Sequence, residues 1–456
     1  MARVVVVGAG ISGLSLAWFL KNQRPGWEIL VLEAEERAGG KAWTEREEGF
    51  LCERGVNGFL DNKPSTVSLA KALGLETLRS NDEARRRFVV KNGRLVMLPD
   101  GPGAFLSSPL LSLSGRLRVL LEAVIPKGDM DRDESLAAFA RRRLGKEAYL
   151  HLIDPMASGI YAGDPERLSL ASCFPRIHEL ERDYGGLIRA MIHLGREAKR
   201  KGKKGPGAGP GGTLHSFAGG MEEIVKALCA TLGPALRLNA PVCSVSRGGG
   251  RWEVGLKSGE TVEATHVVVA VPARQSGAIL QEAAPKVTDI ASRIPYPPVS
   301  VVCFGMKEAS VGRPLDGFGF LAPRCEGRKI LGCLWDSSIF SGRAPAGYVL
   351  LRTLVGGARA PELARLKDEP LTELVMEELS SLLGIEKSPE FVRIFRWEEA
   401  IPQYEVGYRD LMRGLTEALH QLPGLAVCCN WVGGVSFNDC VANAERLARE
   451  ISEGGR

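Results

Sequence analysis

The stretch "ARVVVVGAGISGLSLAWFL" at residues 2–20 constrains this chain more than any other. Val4 to Val7 are β-branched and apolar on both faces, the pattern of a strand buried on both sides. Gly8, Gly10 and Gly13 follow as GxGxxG. The first glycine permits a tight turn. The second lets the backbone approach a pyrophosphate, and the third lets helix and strand pack closely. The apolar run from Ile11 predicts a helix whose first N–H groups point at phosphate. A second strand, "EILVLEA", carries Glu33, twenty residues after Gly13. A carboxylate there accepts hydrogen bonds from adenosine ribose hydroxyls and disfavours a 2′-phosphate. The context predicts a Rossmann-like α/β unit that binds a dinucleotide.

The next residues narrow the choice. "LEAEERAGGKAWT" places Gly39-Gly40 six residues after Glu33, and Lys41 follows. Two glycines let the chain run along more of the pyrophosphate, and Lys41 adds a cation. Nicotinamide dehydrogenases do not need this second loop, whereas flavoproteins built on two dinucleotide-fold halves usually have it. FAD is the expected cofactor. Later segments read as further parts of the same domain. "LNAPVCSVSRGGGRWEVGLKSGETVEATHVVVAVPA" predicts a meander with a turn at Ser258-Gly259, then a buried strand ending at Pro272. Val242 sits where such folds hold adenine with backbone groups. "LAVCCNWVGGVSFNDCVANAERLAREI" reads as strand, glycine turn and helix. Its helix N-terminus, near Val435–Asn438, is expected to face the pyrimidine end of a flavin, where the dipole favours negative charge.

With 456 residues the chain has room for two or three domains. Residues 1–80, 218–280 and 396–456 are expected to form a discontinuous FAD-binding domain. Residues 281–395 alternate as strands do, with one helix near 370–383, and predict a mixed-sheet substrate domain. Residues 81–217 read as a helical insertion. In "REAKRKGKKGPGAGPGGT" (196–213), six Lys or Arg fall within 196–204. This is either a solvated loop or a patch drawn to anionic lipid, where each basic residue contributes about 1 kcal/mol. A net charge of +5 without interleaved aromatics does not point to nucleic acid. No run approaches the roughly 18–20 apolar residues of a membrane span, and no signal peptide is read at the N-terminus. Ten scattered cysteines without a CxxC pair predict a reducing, cytoplasmic setting.

No catalytic constellation stands outside the expected cofactor. None of the six histidines pairs with Cys, Asp or Glu at metal-ligand spacing, so no metal site is expected, and no GxSxG elbow occurs. The cofactor is therefore expected to carry the chemistry, by hydride transfer to flavin N5.

"GAGISGLSLAWFL", "LEAEERAGGKAWT" and "AVCCNWVGGVSFNDCVANA" resemble the superfamily of monoamine oxidases, phytoene desaturases and protoporphyrinogen oxidases. "ERGVNGFLDNKP", "RRRFVVKNGRLVMLP", "SGIYAGDPERLSLASCFP", "DGFGFLAP", "LRTLVGGARAPEL" and "FRWEEAIPQYEVGY" are similar to the bacterial protoporphyrinogen oxidase family in particular. The resemblance implies oxidation of protoporphyrinogen IX to protoporphyrin IX in haem synthesis. FAD takes six electrons in three rounds, and O₂ as acceptor gives H₂O₂. Related enzymes take coproporphyrinogen III, and a flavin amine oxidase on the same scaffold is the other alternative. An amine oxidase is expected to cage its amine between two aromatic rings near the last motif, where Trp431 is one candidate.

By the same resemblance, a propionate of the substrate meets Arg87, with Arg86 second. Gly159, Leu321, Leu334 and Leu354 line the macrocycle, and Ala162 lies close by. Leu354 replaces a stacking phenylalanine of the family, a change expected to alter porphyrinogen selectivity. The cofactor contacts implied are Ala9, Ile11, Ser12, Ala34, the GVNG turn (Gly55, Val56, Asn57, Gly58), Trp397, Val435, Ser436 and Phe437, beside those read from the motif. The GVNG turn replaces a GPNS-like turn, and Cys429 stands before Asn430 where glycine is common. The resemblance implies a homodimer, and the basic stretch with the apolar helical segments beside it points to peripheral contact with the inner face of the cell membrane.

Overall fold

The computed structural model describes residues 2–200 and 212–454. The chain starts with β1 (Arg3–Val7), α1 (Ile11–Gln23) and β2 (Glu28–Leu32). It then leaves for a second sheet through β3 (Phe88–Lys91) and β4 (Arg94–Met97). A helical stretch follows. It includes α2 (Leu113–Leu120), a π-helical turn at Tyr149–Ile153, α3 (Asp154–Tyr161) and α4 (Leu187–Arg200). The chain returns through β5 (Leu236–Arg237) and β6 (His266–Val269) and crosses to β7 (Val299–Lys307), β8 (Gly319–Leu321), β9 (Gly332–Trp335) and β10 (Tyr348–Gly356). The helix α5 (Asp368–Leu383), β11 (Phe391–Trp397), β12 (Leu425–Val427) and α6 (Phe437–Ser452) complete it.

The first sheet is parallel, in the order β5-β2-β1-β6-β12. The four valines of β1 divide by parity, as alternate side chains must. Val4 and Val6 pack with Leu14, Ala17, Val441 and Ala444 on the helical side, and Val5 and Val7 pack with Val245, Trp252 and Val254 of the meander. Burial of each contributes about 1.5–3 kcal/mol relative to exposure. The result is a three-layer unit of helices, parallel sheet and antiparallel meander. The meander itself pairs Val242–Gly248, Arg251–Leu256 and Thr261–Ala264 in sequence order, with Gly259 at φ +90° in its turn.

The second sheet runs β11-β7-β10-β9-β8-β3-β4, parallel only between β8 and β3. Its last two strands, β3 and β4, add a hairpin to the mostly helical reading of 81–217. They are the hairpin around Asn92-Gly93, whose φ values of +51° and +71° are those of a tight two-residue turn. β11 likewise runs across the expected boundary at 395/396. The basic stretch 196–213 falls mostly outside the described residues. Among the described residues, no helix is long and apolar enough to cross a membrane.

Candidate flavin cradle and substrate face

The turn between β1 and α1 is built around glycines that do different work. Gly8 has φ +102° and donates its N–H to the Leu32 carbonyl at 2.7 Å. A Cβ on Gly13 would lie 2.0 Å from the Gly8 carbonyl oxygen, so the helix start and the turn touch directly. A Cβ on Gly10 would meet nothing within 4 Å. Gly10 therefore faces open space at the N-terminus of α1, where no side chain caps the first turn of Ile11, Ser12 and Gly13. The second glycine pair closes over the same space. Gly39 bridges to Gly10, donating its N–H to the Ala9 carbonyl at 2.7 Å, and Gly40 has φ +56°. Glu33 ties the turn to β2, accepting from the Ala9 N–H at 2.7 Å and the Glu35 N–H at 3.1 Å. Its own carbonyl accepts from Ala240, two residues before Val242, and Ala34 beside it is exposed.

Lys41 lies between the rings of Trp397 and Tyr296, its Nζ 5.6 and 6.0 Å from their centroids. Burial lowers its pKa against the pull of Glu399, and among the described residues no carboxylate forms a salt bridge with it. An ammonium so placed calls for an anion. Cys429 lies near it, and burial pushes that thiol up to about 11, so it stays protonated. An uncapped helix start, a glycine facing empty space and a part-buried lysine without a salt bridge together fit a dinucleotide pyrophosphate.

The GVNG turn packs against Lys41. A Cβ on Gly55 would come within 2.5 Å of the Lys41 carbonyl oxygen, and one on Gly58 within 2.5 Å of the His215 carbonyl oxygen. Both glycines are required by close approach. Beneath the turn lies a buried network that reading the sequence missed. Arg352 donates to Asp336 at 2.8 Å and to the Gly55 carbonyl at 3.1 Å, and Asn57 donates to Asp336 at 3.3 Å. Glu53 accepts from the Met221 N–H and the Thr44 hydroxyl, both at 2.8 Å, with Arg343 3.7 Å away. Burial raises the Glu53 pKa to about 7 against the pull of Arg343. The available signal was an arginine inside the apolar strand "YVLLRTLVG". A buried charge needs a partner. Val56 and Asn57 are both part-buried, and the Asn57 Oδ1 has no partner.

The last motif is braced by two tyrosines. Tyr404 and Tyr408 stack at 4.0 Å, and their hydroxyls donate to the carbonyls of Asn430 and Trp431 at 2.6 and 2.9 Å. They also accept from the N–H groups of Gly434 and Gly433. The loop leads through Val435 into α6, whose start is capped within the chain. The Ser436 side chain accepts from the Asp439 N–H and the Asp439 carboxylate accepts from the Ser436 N–H. Phe437 is buried beside Phe59. Trp431 is fully buried with its Nε1 donating to Val271, so it offers no amine a face.

The second sheet presents one face to this cradle. Register pairs Leu321 with Gly332, Gly332 with Leu354, and Leu334 with both Gly319 and Arg352. Paired residues share a face. Leu321, Leu334, Leu354 and Arg352 therefore line one side, and Arg352 reaches the GVNG turn from it. The opposite side, with Phe320, Cys333, Trp335 and Leu351, packs on α5. Gly159 of α3 lies over Leu321, since its Cβ would come within 2.6 Å of Leu321 Cδ2. Ala162 ends α3 with φ +48° and accepts from Ala358. At the sheet edge the two candidate arginines differ. Arg86 is paired with Asp316 at 2.6 Å, whereas Arg87 stacks 5.3 Å from the Phe318 centroid and has no carboxylate partner among the described residues.

Comparison with known proteins agrees with this geometry. The family model described as flavin containing amine oxidoreductase matches residues 11–452. The chain is 32% identical to the coproporphyrinogen III oxidase of Bacillus subtilis (strain 168), over 96% of this chain and 95% of that protein. It is also 32% identical to protoporphyrinogen oxidase 2, chloroplastic/mitochondrial, of Arabidopsis thaliana, over 98% of this chain and 93% of that one. A crystal structure from Exiguobacterium sp. 255-15, assigned as a protoporphyrinogen oxidase, superposes with TM-score 0.85 at 28% identity, covering 99% of each chain. Putrescine oxidase shares the fold at TM-score 0.73 and 18% identity. The α/β amine-oxidase-like architecture and the FAD cofactor expected from the first glycines are thus upheld. The chain belongs to the flavin-containing amine oxidoreductases and, within them, to the group that holds the protoporphyrinogen and coproporphyrinogen III oxidases.

Proposed function

We propose that this enzyme oxidises protoporphyrinogen IX to protoporphyrin IX in haem synthesis, with O₂ as acceptor. The observation that carries the reading is the apolar sheet face beside the flavin cradle with an unpaired arginine at its edge. Leu321, Leu334 and Leu354 offer a part-buried apolar surface of the kind a tetrapyrrole needs. Arg87 supplies a planar fork for one propionate, a geometry that favours arginine over lysine, while Arg86 is already committed to Asp316. FAD, when bound, would supply a hydride acceptor at N5 and a route for the electrons to O₂, giving H₂O₂. This chain's residues do the rest. Gly10, Gly39, Gly40 and Lys41 would seat the pyrophosphate, Glu33 would take the ribose, and the backbone near Val242 would take the adenine. Arg352 holds the GVNG turn against the sheet. Electron-rich pyrroles release hydride without a strong base, in keeping with a face made of leucines.

The flavin-holding part comprises residues 1–80 and 218–280 and the chain after β11, which ends at Trp397 in the second sheet. The amine oxidase reading is disfavoured, because Trp431, the aromatic residue of the last motif, is fully buried with its Nε1 donating to the Val271 carbonyl. Coproporphyrinogen III is the second reading, since a relative of equal identity bears that name. We also propose a cytoplasmic enzyme that touches an anionic membrane surface through its helical insertion. The test is porphyrin fluorescence after adding each porphyrinogen to the flavin-loaded protein under air. The protoporphyrinogen rate is expected to be the higher. A higher coproporphyrinogen rate would replace the substrate, and no gain over autoxidation with either would overturn the reading. Arg87→Ala is expected to raise KM roughly 10–100-fold, the value of a hydrogen bond to a charged group, with flavin content unchanged. Arg86→Ala is expected to change KM far less.

A further inference from the structure

We propose that His151, Cys325 and Glu326 form a zinc site outside the flavin and substrate machinery. The sequence hides it, because His151 and Cys325 lie 174 positions apart. The fold brings one ligand atom of each within 4.8 Å of the others. Cys325 Sγ is 3.8 Å from His151 Nδ1. Tetrahedral zinc with a Zn–S bond of about 2.3 Å and a Zn–N bond of about 2.0 Å sets these atoms roughly 3.5 Å apart. A shift of a few tenths of an ångström brings the Cys325–His151 pair to that spacing, and the Glu326 carboxylate closes on it from within 4.8 Å.

The ligands are carried by elements that other contacts already fix. His151 sits in the π-helical turn, a rare conformation often found at functional sites. Cys325 and Glu326 sit in the short turn just beyond β8. The Glu326 carboxylate accepts from the Asn92 and Gly93 N–H groups at 3.0 and 3.2 Å, which orient it from outside as metal-binding carboxylates commonly are. The Arg324 N–H donates to Asp154 at 2.9 Å and pins the turn to the start of α3. Lys91 is the nearby cation, and its ammonium is held elsewhere, by the carbonyls of Pro109 and Leu110 at 3.0 and 2.7 Å. On binding, the Cys325 thiol loses its proton to solvent as the Zn–S bond forms. Thiolate, carboxylate and neutral imidazole then balance the two charges of the metal. The sulfur, nitrogen and oxygen set suits zinc better than magnesium or calcium. Cys325 is exposed, which leaves the fourth position to water. Occupancy would clasp the helical insertion, just before α3, to the end of β8.

The full-length, chelator-treated protein is titrated with zinc against a chromophoric chelator, and with Co(II) for its spectrum. One zinc per chain is expected, with a thiolate-to-metal charge-transfer band in the Co(II) form. Cys325→Ser and His151→Ala are each expected to weaken binding by more than the roughly 10–100-fold that loss of an outer partner costs. Cys243→Ser, at the other exposed cysteine, is expected to leave it unchanged. Absence of a stoichiometric site, wild-type affinity in Cys325→Ser or His151→Ala, or a Co(II) spectrum without the thiolate band would overturn the proposal.

Discussion

Gly10 and Gly13 lie one helical turn apart and answer to different constraints. Gly10 has φ −69°, which any residue adopts, and open space where its Cβ would be. Gly10→Ala is therefore expected to fold with the stability of the flavin-free parent yet lose flavin, because the methyl fills the room the pyrophosphate needs. Gly13→Ala drives a Cβ into the Gly8 carbonyl at 2.0 Å and is expected to cost about 1–3 kcal/mol even without flavin. Flavin absorbance together with thermal unfolding of the flavin-free proteins separates the two. Equal instability would remove the distinction. Glu53 carries a second prediction. Its pKa rises from the ordinary 4.5 to about 7 because it is buried. Between those values the folded protein holds a proton that the unfolded chain has released. Stability therefore falls as pH rises through that window, by at most about 3 kcal/mol. Glu53→Gln is expected to flatten the melting temperature between pH 5 and 7, and an unchanged slope would assign the titration to another group. The glycine roles were legible in the sequence because spacing alone carries them. Glu53 was not, since its partners Arg343 and Met221 come from distant segments.

Elements meet at the substrate face, and there one contact sets a size limit. Helix α3 lies on β8 with Gly159 over Leu321. In Gly159→Ala the methyl would press on the flexible tip of Leu321, while the helix gains about 1 kcal/mol in propensity. Stability is expected to hold and KM for the porphyrinogen to rise, as Leu321 is pushed toward the substrate. Adding Leu321→Ala should restore KM part of the way, which a lone helix effect would not do. A KM in Gly159→Ala equal to the parent's would place the substrate elsewhere. Alternation exposes most of the second sheet in the sequence, but its edge hairpin β3–β4 lies in a stretch that reads mostly helical. The Asn-Gly turn was there to be seen, between two four-residue strands. Their neighbourhood is rich in Leu and Arg, and so short an apolar run does not separate strand from helix by period. The Arg352–Asp336 pair was hidden for another reason. Only the register of β9 against β10 brings those residues together.

At the scale of the whole molecule, local periodicity carried the parallel sheet and its helices. Contacts between distant segments, such as His151 with Cys325, depend on how the insertions fold back, and no local pattern encodes them. The same insertion carries a surface that the sequence indicates through its basic loop and the apolar helical segments beside it. Leu113, Leu117, Leu120, Leu121 and Val124 recur at helical spacing along α2 and the turn after it, and all are exposed. Met191 and Ile192, also exposed, lie on α4, which packs against that turn and ends in Lys199 and Arg200. An apolar ridge with a basic end matches an anionic bilayer surface. The wild-type protein is expected to co-sediment with phosphatidylglycerol vesicles and much less with phosphatidylcholine. Replacing Leu117 and Leu121 by Asp removes two side chains worth about 1.5–3 kcal/mol each on burial. The double variant should therefore bind vesicles at least about tenfold more weakly, with porphyrinogen turnover in detergent intact. If it sediments with vesicles as the parent does, the ridge is not the docking surface. If instead it converts a dimer to a monomer by analytical ultracentrifugation, the ridge joins two copies of the chain.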